Sequence, residues 1–198
     1  MLLAEVMHRI PVILGSQSPR RKELLASLDL SFEVLVREIE EVVPSHVLTR
    51  DAAEYIAVEK IKAFSDSEFY DHVIITADTV VVDNADRVLG KPKDAAEARE
   101  VLLALSGCAH IVYTGVAIAY RGEVKSFTSM TVVRFRSLEV AEIDYYLDKY
   151  KPYDKAGSYG IQEWIGRIGV VSIEGSFENV VGLPTSHLYK ELKQMFIK

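Results

Sequence analysis

Three stretches carry side chains that conflict with their local setting. In Ser16-Gln17-Ser18-Pro19-Arg20-Arg21-Lys22-Glu23, Ser18 reads as a helix N-cap and Pro19 as the first helical residue. Arg20, Arg21 and Lys22 then crowd the first turn, where the positive end of the helix dipole disfavours cations by a few tenths to about 1 kcal/mol each. A phosphate would offset this, because backbone N–H groups, dipole and guanidinium forks would all point at one anion. A solvated basic face with pairing to Glu23 would offset it too, and both readings stand. The second stretch is Val73 to Val82, an apolar run interrupted by Asp78. A buried unpaired carboxylate costs several kcal/mol, so Asp78 must be paired, hydrated, metal-bound or part of a site. A bulge or strand end reaching water is the bland alternative; the continuing run Val80 to Val82 argues for a site, where local rules are expected to fail. The third, Asp154-Lys155-Ala156-Gly157-Ser158-Tyr159-Gly160-Ile161-Gln162, is rich in small residues and suits close backbone approach to a ligand, or else a tight loop. Lys155 reads either as a site residue or as an ion-pair partner of Asp154.

Other candidates say less. Lys91 sits in a turn, Gly90-Lys91-Pro92, where a lysine is usually just solvated. Cys108 has no basic neighbour to activate it, His110 reads as a hydrogen-bonded strand residue, and His8, His46, His72 and His187 show no metal-ligand spacing. Trp164 and the tyrosines are expected in the core or an interface.

The elements that must position these residues follow from periodicity. Pro11 to Gly15 reads as a buried strand and Arg20 to Leu28 as a helix, the opening of an α/β unit. Phe32 to Val36 and Val73 to Val82 read as strands and Arg50 to Phe64 as a helix. Asp94 caps a helix reaching Leu105, ended by Ser106-Gly107. His110 to Tyr120 and Val124 to Arg136 flank the hairpin signal Arg121-Gly122. Leu138 to Tyr150 and Thr185 to Phe196 read as helices, with Gly166 to Ser172 and a turn at Glu174-Gly175 between them. The expected fold class is α/β or α+β with a long, mixed, twisted sheet and flanking helices, in one domain spanning 1–198, with one lobe or two.

A chain of 198 residues can bury a substantial core in one domain. No apolar run approaches the roughly 20 residues that span a bilayer, and Glu5, His8 and Arg9 interrupt what would be a signal-peptide core. A cytoplasmic location is expected, and the single cysteine agrees with a reducing compartment. The net charge of −6 argues against a nucleic-acid polymer as partner but not against a small anion met by a local cluster of cations.

Taken together, these pieces resemble the Maf family of nucleoside triphosphate pyrophosphatases over Val12 to Leu192. The likeness rests on the order and spacing of the Ser16 block, Ala77-Asp78-Thr79-Val80-Val81, Gly90-Lys91-Pro92, Ser106-Gly107 with His110, Val112, Thr114 and Gly115, the Asp154 to Gln162 block, and Asn179-Val180-Val181-Gly182-Leu183-Pro184. The resemblance implies a fold like that of the inosine triphosphate pyrophosphatases, a mixed sheet with helices around a central cleft. It implies hydrolysis of a nucleoside triphosphate to monophosphate and pyrophosphate, with Asp78 as catalytic carboxylate. Ser16, Arg20, Arg21, Lys60 and Lys91 would lie around the triphosphate, and Glu41 with Asp78 at a divalent metal. Arg20, Thr79 and Gln162 match the determinants of the branch that prefers dTTP and UTP. The sequence departs from the family pattern in the extension Met1 to Ile10, in Asp29 where glycine is often found, and in Lys151-Pro152-Tyr153 before the Asp154 block.

The chemistry implied is attack of water on the α phosphorus, helped by cations around the phosphates and by a magnesium or manganese ion on oxygen ligands. The expected partner is a small nucleotide, with no membrane and with a homodimer left open. Two rivals remain: a nucleotide-sensing regulator of cell division, and a pyrophosphatase for purine or modified nucleotides.

Overall fold

The computed structural model describes residues 2–197; Met1 and Lys198, the ends of the expected domain, lie outside them. Along the chain run α1 (Leu3–Met7), β1 (Val12–Leu14), α2 (Pro19–Ala26), β2 (Glu33–Val34), α3 (Ala52–Lys62), β3 (Val73–Val82), β4 (Val88–Leu89) and α4 (Ala95–Leu105). There follow β5 (Ala109–Tyr120), β6 (Glu123–Phe135), α5 (Val140–Tyr150), α6 (Trp164–Gly169), β7 (Val170–Glu174), α7 (Phe177–Val181) and α8 (Thr185–Phe196). The strands form one mixed sheet in the order β2-β1-β3-β5-β6-β7, with β4 also on β3. β1 is parallel to β2 and β3, whereas β4 on β3 and β7 on β6 are antiparallel. The expected α/β class and mixed sheet are therefore present.

The chain divides into two compact units. The first comprises Met1–Asp78, Thr114–Ser129 and Gly182–Lys198, the second Thr79–Tyr113 and Met130–Val181, so three of the divisions fall inside β3, β5 and β6 and the fourth follows α7.

In the first unit the apolar runs are continuous because both faces of the strands are covered. Val12, Leu14, Val73, Ile75, Val116 and Ile118 share a core with Leu25, Leu188 and Leu192 of α2 and α8. The alternate residues Ile13, Ile74 and Ala117 pack instead with Ala57 and Ile61 of α3 and with Phe64. Gly115 lets α3 approach this closely: a Cβ there would lie 2.1 Å from the Glu54 backbone nitrogen. The Met1 to Ile10 extension contains α1, whose Leu3 and Met7 are buried against the α8 side of the core.

In the second unit α4 packs on α5. Asp94 caps α4 as expected, its carboxylate accepting the Glu97 N–H at 2.9 Å. Asn179 donates to the Val112 carbonyl at 3.1 Å and to Thr131 Oγ1 at 2.9 Å, tying α7 to β5 and β6.

β3, α4, α8 and the Arg121-Gly122 hairpin fall where periodicity and turn chemistry put them. Elsewhere the boundaries move. The Phe32 to Val36 strand shrinks to Glu33–Val34, the residues in register with Ile13 and Leu14 of β1. The helix read from Arg50 opens with a 3-10 turn, Thr49–Asp51. The helix read from Leu138 begins at Val140, after Glu139 and Glu142 exchange capping contacts. Gly166 to Ser172 splits between α6 and β7. Two family departures have a local explanation. Asp29 (φ 57°) and Lys151 (φ 47°) both take the left-handed conformation that follows a helix end, the place glycine usually fills.

Candidate functional site

The first unit builds a charged cluster around Asp78 from three elements. Thr76 Oγ1 donates to the Ala57 carbonyl at 2.6 Å, locking β3 against α3. Asp78 lies two residues on along the strand and Lys60 three along the helix, so each stays on the facing side. Lys60 Nζ accordingly sits 2.9 Å from Asp78 Oδ1 and 2.7 Å from Glu41 Oε1. One ammonium thus bridges two carboxylates. The Lys60 and Asp78 side chains are 15% and 18% exposed, while Glu41 closes the group from the surface at 49%. Of the alternatives for the carboxylate that interrupts β3, the structure realises pairing.

The start of α2 supplies the second part. Ser18 Oγ accepts the Arg21 N–H at 3.5 Å, and the Ser18 N–H donates to Ser16 Oγ at 3.3 Å. The Arg21 guanidinium turns inward: Nε donates to the Gly182 carbonyl at 2.8 Å, and Nη1 donates to the Ala77 carbonyl at 2.9 Å and to Ser16 Oγ at 3.3 Å. Loss of solvent lowers its pKa from the usual arginine value, with nearby Asp78 opposing that shift, the Arg20 charge adding to it and Glu41 opposing it. For Arg21 the conflict with the helix dipole is met by carbonyls of the fold itself, with the guanidinium turned away from solvent. Of the residues expected around a triphosphate and metal, Ser16, Arg20, Arg21, Glu41, Lys60 and Asp78 belong to this unit.

Thr79, Lys91 and Gln162 belong to the second unit. Thr79 follows Asp78 on β3 and is half-buried, whereas Lys91 is exposed between Gly90 and the buried Pro92. The Gly90 carbonyl accepts the Gly157 N–H at 3.3 Å, joining the Lys91 turn to the small-residue segment. Gly157 (φ 71°) lies flat on Val81, whose side chain would be 3.0 Å from a Cβ. Lys155 is an ion-pair partner, buried, with Nζ 2.8 Å from Asp154 Oδ1 and 3.2 Å from Glu163 Oε1. Gln162 is exposed, its carbonyl accepting Arg167 Nε at 3.3 Å. It borders a shallow pocket of about 450 Å³ with Ile161, Arg167, Ile173 and Phe177.

Two side chains that hold this segment are not evident from sequence. The Tyr146 hydroxyl donates to Glu163 Oε2 and accepts the Gly160 N–H at 3.0 Å. Burial, then the bond to Glu163, raises the Tyr146 pKa, so the hydroxyl keeps its proton and remains a donor. The available signal was the Gly160 to Glu163 spacing of a four-residue turn. His110 Nε2 and the Tyr159 hydroxyl are hydrogen-bonded at 2.7 Å, and burial lowers the His110 pKa to about 4. His110 is thus the hydrogen-bonded strand residue expected. Cys108 is half-buried and unbridged.

Among the described residues no group of three or more His, Cys, Asp or Glu side chains is arranged to hold a metal ion, and no helix is long and apolar enough to cross a membrane.

A family model described as Maf-like protein matches residues 11–195. A dTTP/UTP pyrophosphatase of Phocaeicola vulgatus is 48% identical over 98% of this chain and 100% of its own length. The protein of the same name from Porphyromonas gingivalis is 49% identical over 94% of this chain and 95% of its own. Among solved structures, a dITP/XTP pyrophosphatase from Mycobacterium abscessus superposes with a TM-score of 0.47 at 15% identity, covering 94% of each chain.

Proposed function

The chain belongs to the Maf family, and from that premise we propose that it hydrolyses dTTP and UTP to the monophosphate and pyrophosphate. The observation that carries this reading is the Lys60 ammonium bridging Asp78 and Glu41 beside the inward-turned Arg21, in a chain nearly half identical to curated dTTP/UTP pyrophosphatases.

In the proposed reaction, water attacks the α phosphorus, Asp78 accepts the proton it loses, and the bond to the β phosphate breaks with pyrophosphate leaving. A triphosphate brings about four negative charges, which Arg20, Arg21, Lys60 and Lys91 neutralise while the Ser16 hydroxyl contributes a hydrogen bond. Gln162, with donor and acceptor on one amide, reads a pyrimidine edge together with Thr79 and Arg20.

A divalent cation fits the donor set. The place between Asp78 and Glu41 already suits a positive charge, and two carboxylates are what magnesium takes when phosphate oxygens and water complete its shell. Held there, magnesium or manganese would supply charge neutralisation and a more acidic bound water. The enzyme would act in the cytoplasm on free nucleotides.

The test is product analysis with dTTP, UTP, purine and modified triphosphates. Monophosphate and pyrophosphate from dTTP and UTP ahead of the others are expected. Orthophosphate as first product would sink the reading, and binding without turnover would favour the regulatory rival.

A further inference from the structure

We propose that Tyr146 and Glu163 are positioning residues for base selection: they clamp the turn that presents Gln162. The proposal rests on the pyrimidine-reading role given to Gln162 above.

The Glu163 N–H donates to the Gly160 carbonyl at 3.0 Å, closing a four-residue turn with Gln162 at its third position. Both ends of that turn hang on one hydroxyl, since Tyr146 accepts from the Gly160 N–H and donates to the Glu163 carboxylate. Tyr146 is fully buried on α5, so the hydroxyl is a fixed point rather than a mobile surface group. Lys155 holds the second Glu163 oxygen at 3.2 Å, and the Asp154 carboxylate holds Lys155 in turn. Gly160 is required by the same packing, because a Cβ there would come within 2.7 Å of the Glu163 carboxyl carbon.

Everything around Gln162 is therefore tied down while its own side chain is exposed. An exposed amide can choose between base edges only if its backbone is fixed, since discrimination depends on holding donor and acceptor in place. A clamp that acts through Gln162 should affect pyrimidine substrates selectively. A merely structural contact would affect all substrates alike.

The experiment compares the parent, Tyr146→Phe, Glu163→Gln, Gln162→Ala and the Tyr146→Phe/Gln162→Ala double variant. For each, KM and kcat are measured with dTTP, UTP and dGTP alongside a melting curve. Tyr146→Phe is expected to raise KM for dTTP and UTP on the order of tenfold, more than it lowers kcat, and to narrow the preference over dGTP. The double variant should be little worse than Gln162→Ala alone. Glu163→Gln should shift the ranking in the same direction and carries the test should Tyr146→Phe fail to fold. Equal losses on all three substrates, or losses that simply add to those of Gln162→Ala, would overturn the clamp. A parent that does not turn over dTTP and UTP, or a Gln162→Ala ranking identical to the parent's, would overturn the underlying reading and the clamp with it. A Gln162→Ala change without one in Tyr146→Phe or Glu163→Gln removes the clamp alone.

Discussion

The charged cluster at Asp78 and the turn at Gln162 are held in opposite ways. At Asp78 the charged side chains hold one another: Lys60 bridges two carboxylates, and Arg21 is bound by carbonyls. At Gln162 the backbone is held, by Tyr146, Glu163 and the Gly157 to Gly90 bond, and the side chain is presented to solvent. The first arrangement suits chemistry on a highly charged group, because opposing charges are already in place at low reorganisation. The second suits reading a base, where position matters more than charge. Substitutions in the first region should therefore disturb stability and activity together, and those in the second should separate them.

Asp78→Asn tests the cluster most severely. Turnover is expected to fall by a factor on the order of 10² to 10⁴, the usual worth of a positioned acid–base group. Repulsion between Asp78 and Glu41 would make the variant more stable without metal, but the Lys60 bridge reverses that sign. A loss of about 1–2 kcal/mol is expected instead, since Lys60 exchanges a charged acceptor for a neutral one. Pyrophosphate release and thermal melting without metal check both; activity within threefold of the parent would remove Asp78 from the mechanism.

His110 tests the framework of the second region. Its pKa is held near 4 by burial, against about 6.5 in an unfolded chain. Between those values the unfolded chain takes up a proton that the folded chain does not. Stability is therefore complete above about pH 6.5, declines as pH falls, and is lower by about 3 kcal/mol at pH 4. Urea midpoints at neutral and acid pH should show this loss in the parent and less of it in His110→Gln; equal acid losses would exonerate His110.

Arg21→Ala should cost about 2–3 kcal/mol in the unliganded protein, because the Ala77 and Gly182 carbonyls lose a charged donor. From the helix dipole alone the opposite would be expected, a neutral or stabilising change. Melting without nucleotide decides between them, and a midpoint at or above the parent's would restore the dipole argument.

Asp29→Gly is the mildest. Relieving a left-handed aspartate at the end of α2 should stabilise the fold by about 0.5–1 kcal/mol and leave dTTP kinetics within twofold. A kinetic change well beyond twofold would mean that α2 acts on the site through its whole length.

What was legible in the sequence were elements with a strong local signal. β3 came from ten residues of apolar run, α4 from Asp94 as its cap, α8 from its periodicity, and the hairpin from Arg121-Gly122, both in the left-handed conformation. The Ser18 cap with Pro19 was equally local. The short elements α6, α7 and β4 span too few residues to show a period. The destination of the Arg21 guanidinium is a carbonyl 161 residues away, and the Tyr146 clamp joins a helix to a turn. Neither partnership shows within one window, although the Gly160 to Glu163 spacing fits the turn itself. Asp78 stood out because its setting was wrong for a carboxylate, and the family resemblance put Lys60 and Glu41 in the same site, but the direct bridge from Lys60, on a helix, to Asp78 and to Glu41, outside any helix or strand, became apparent only once the chain was folded.

The helix α1 has a consequence for synthesis. It precedes the segment matched by the Maf family model, and at five residues it is too short to persist alone. Its Leu3 and Met7 belong in the core that includes Leu188 and Leu192 near the other end of the chain. On a ribosome, α1 emerges before the α8 part of its seat, roughly 10–40 s earlier at about 5–20 residues per second. Docking it closes nearly the whole chain into one loop at modest entropic cost, since each doubling of loop length adds only about 0.6 kcal/mol. Until α8 arrives, Leu3 and Met7 are exposed apolar groups on a nascent tail. A chain stalled before Thr185 would lack the Leu188 and Leu192 side of that core and leave α1 undocked on it.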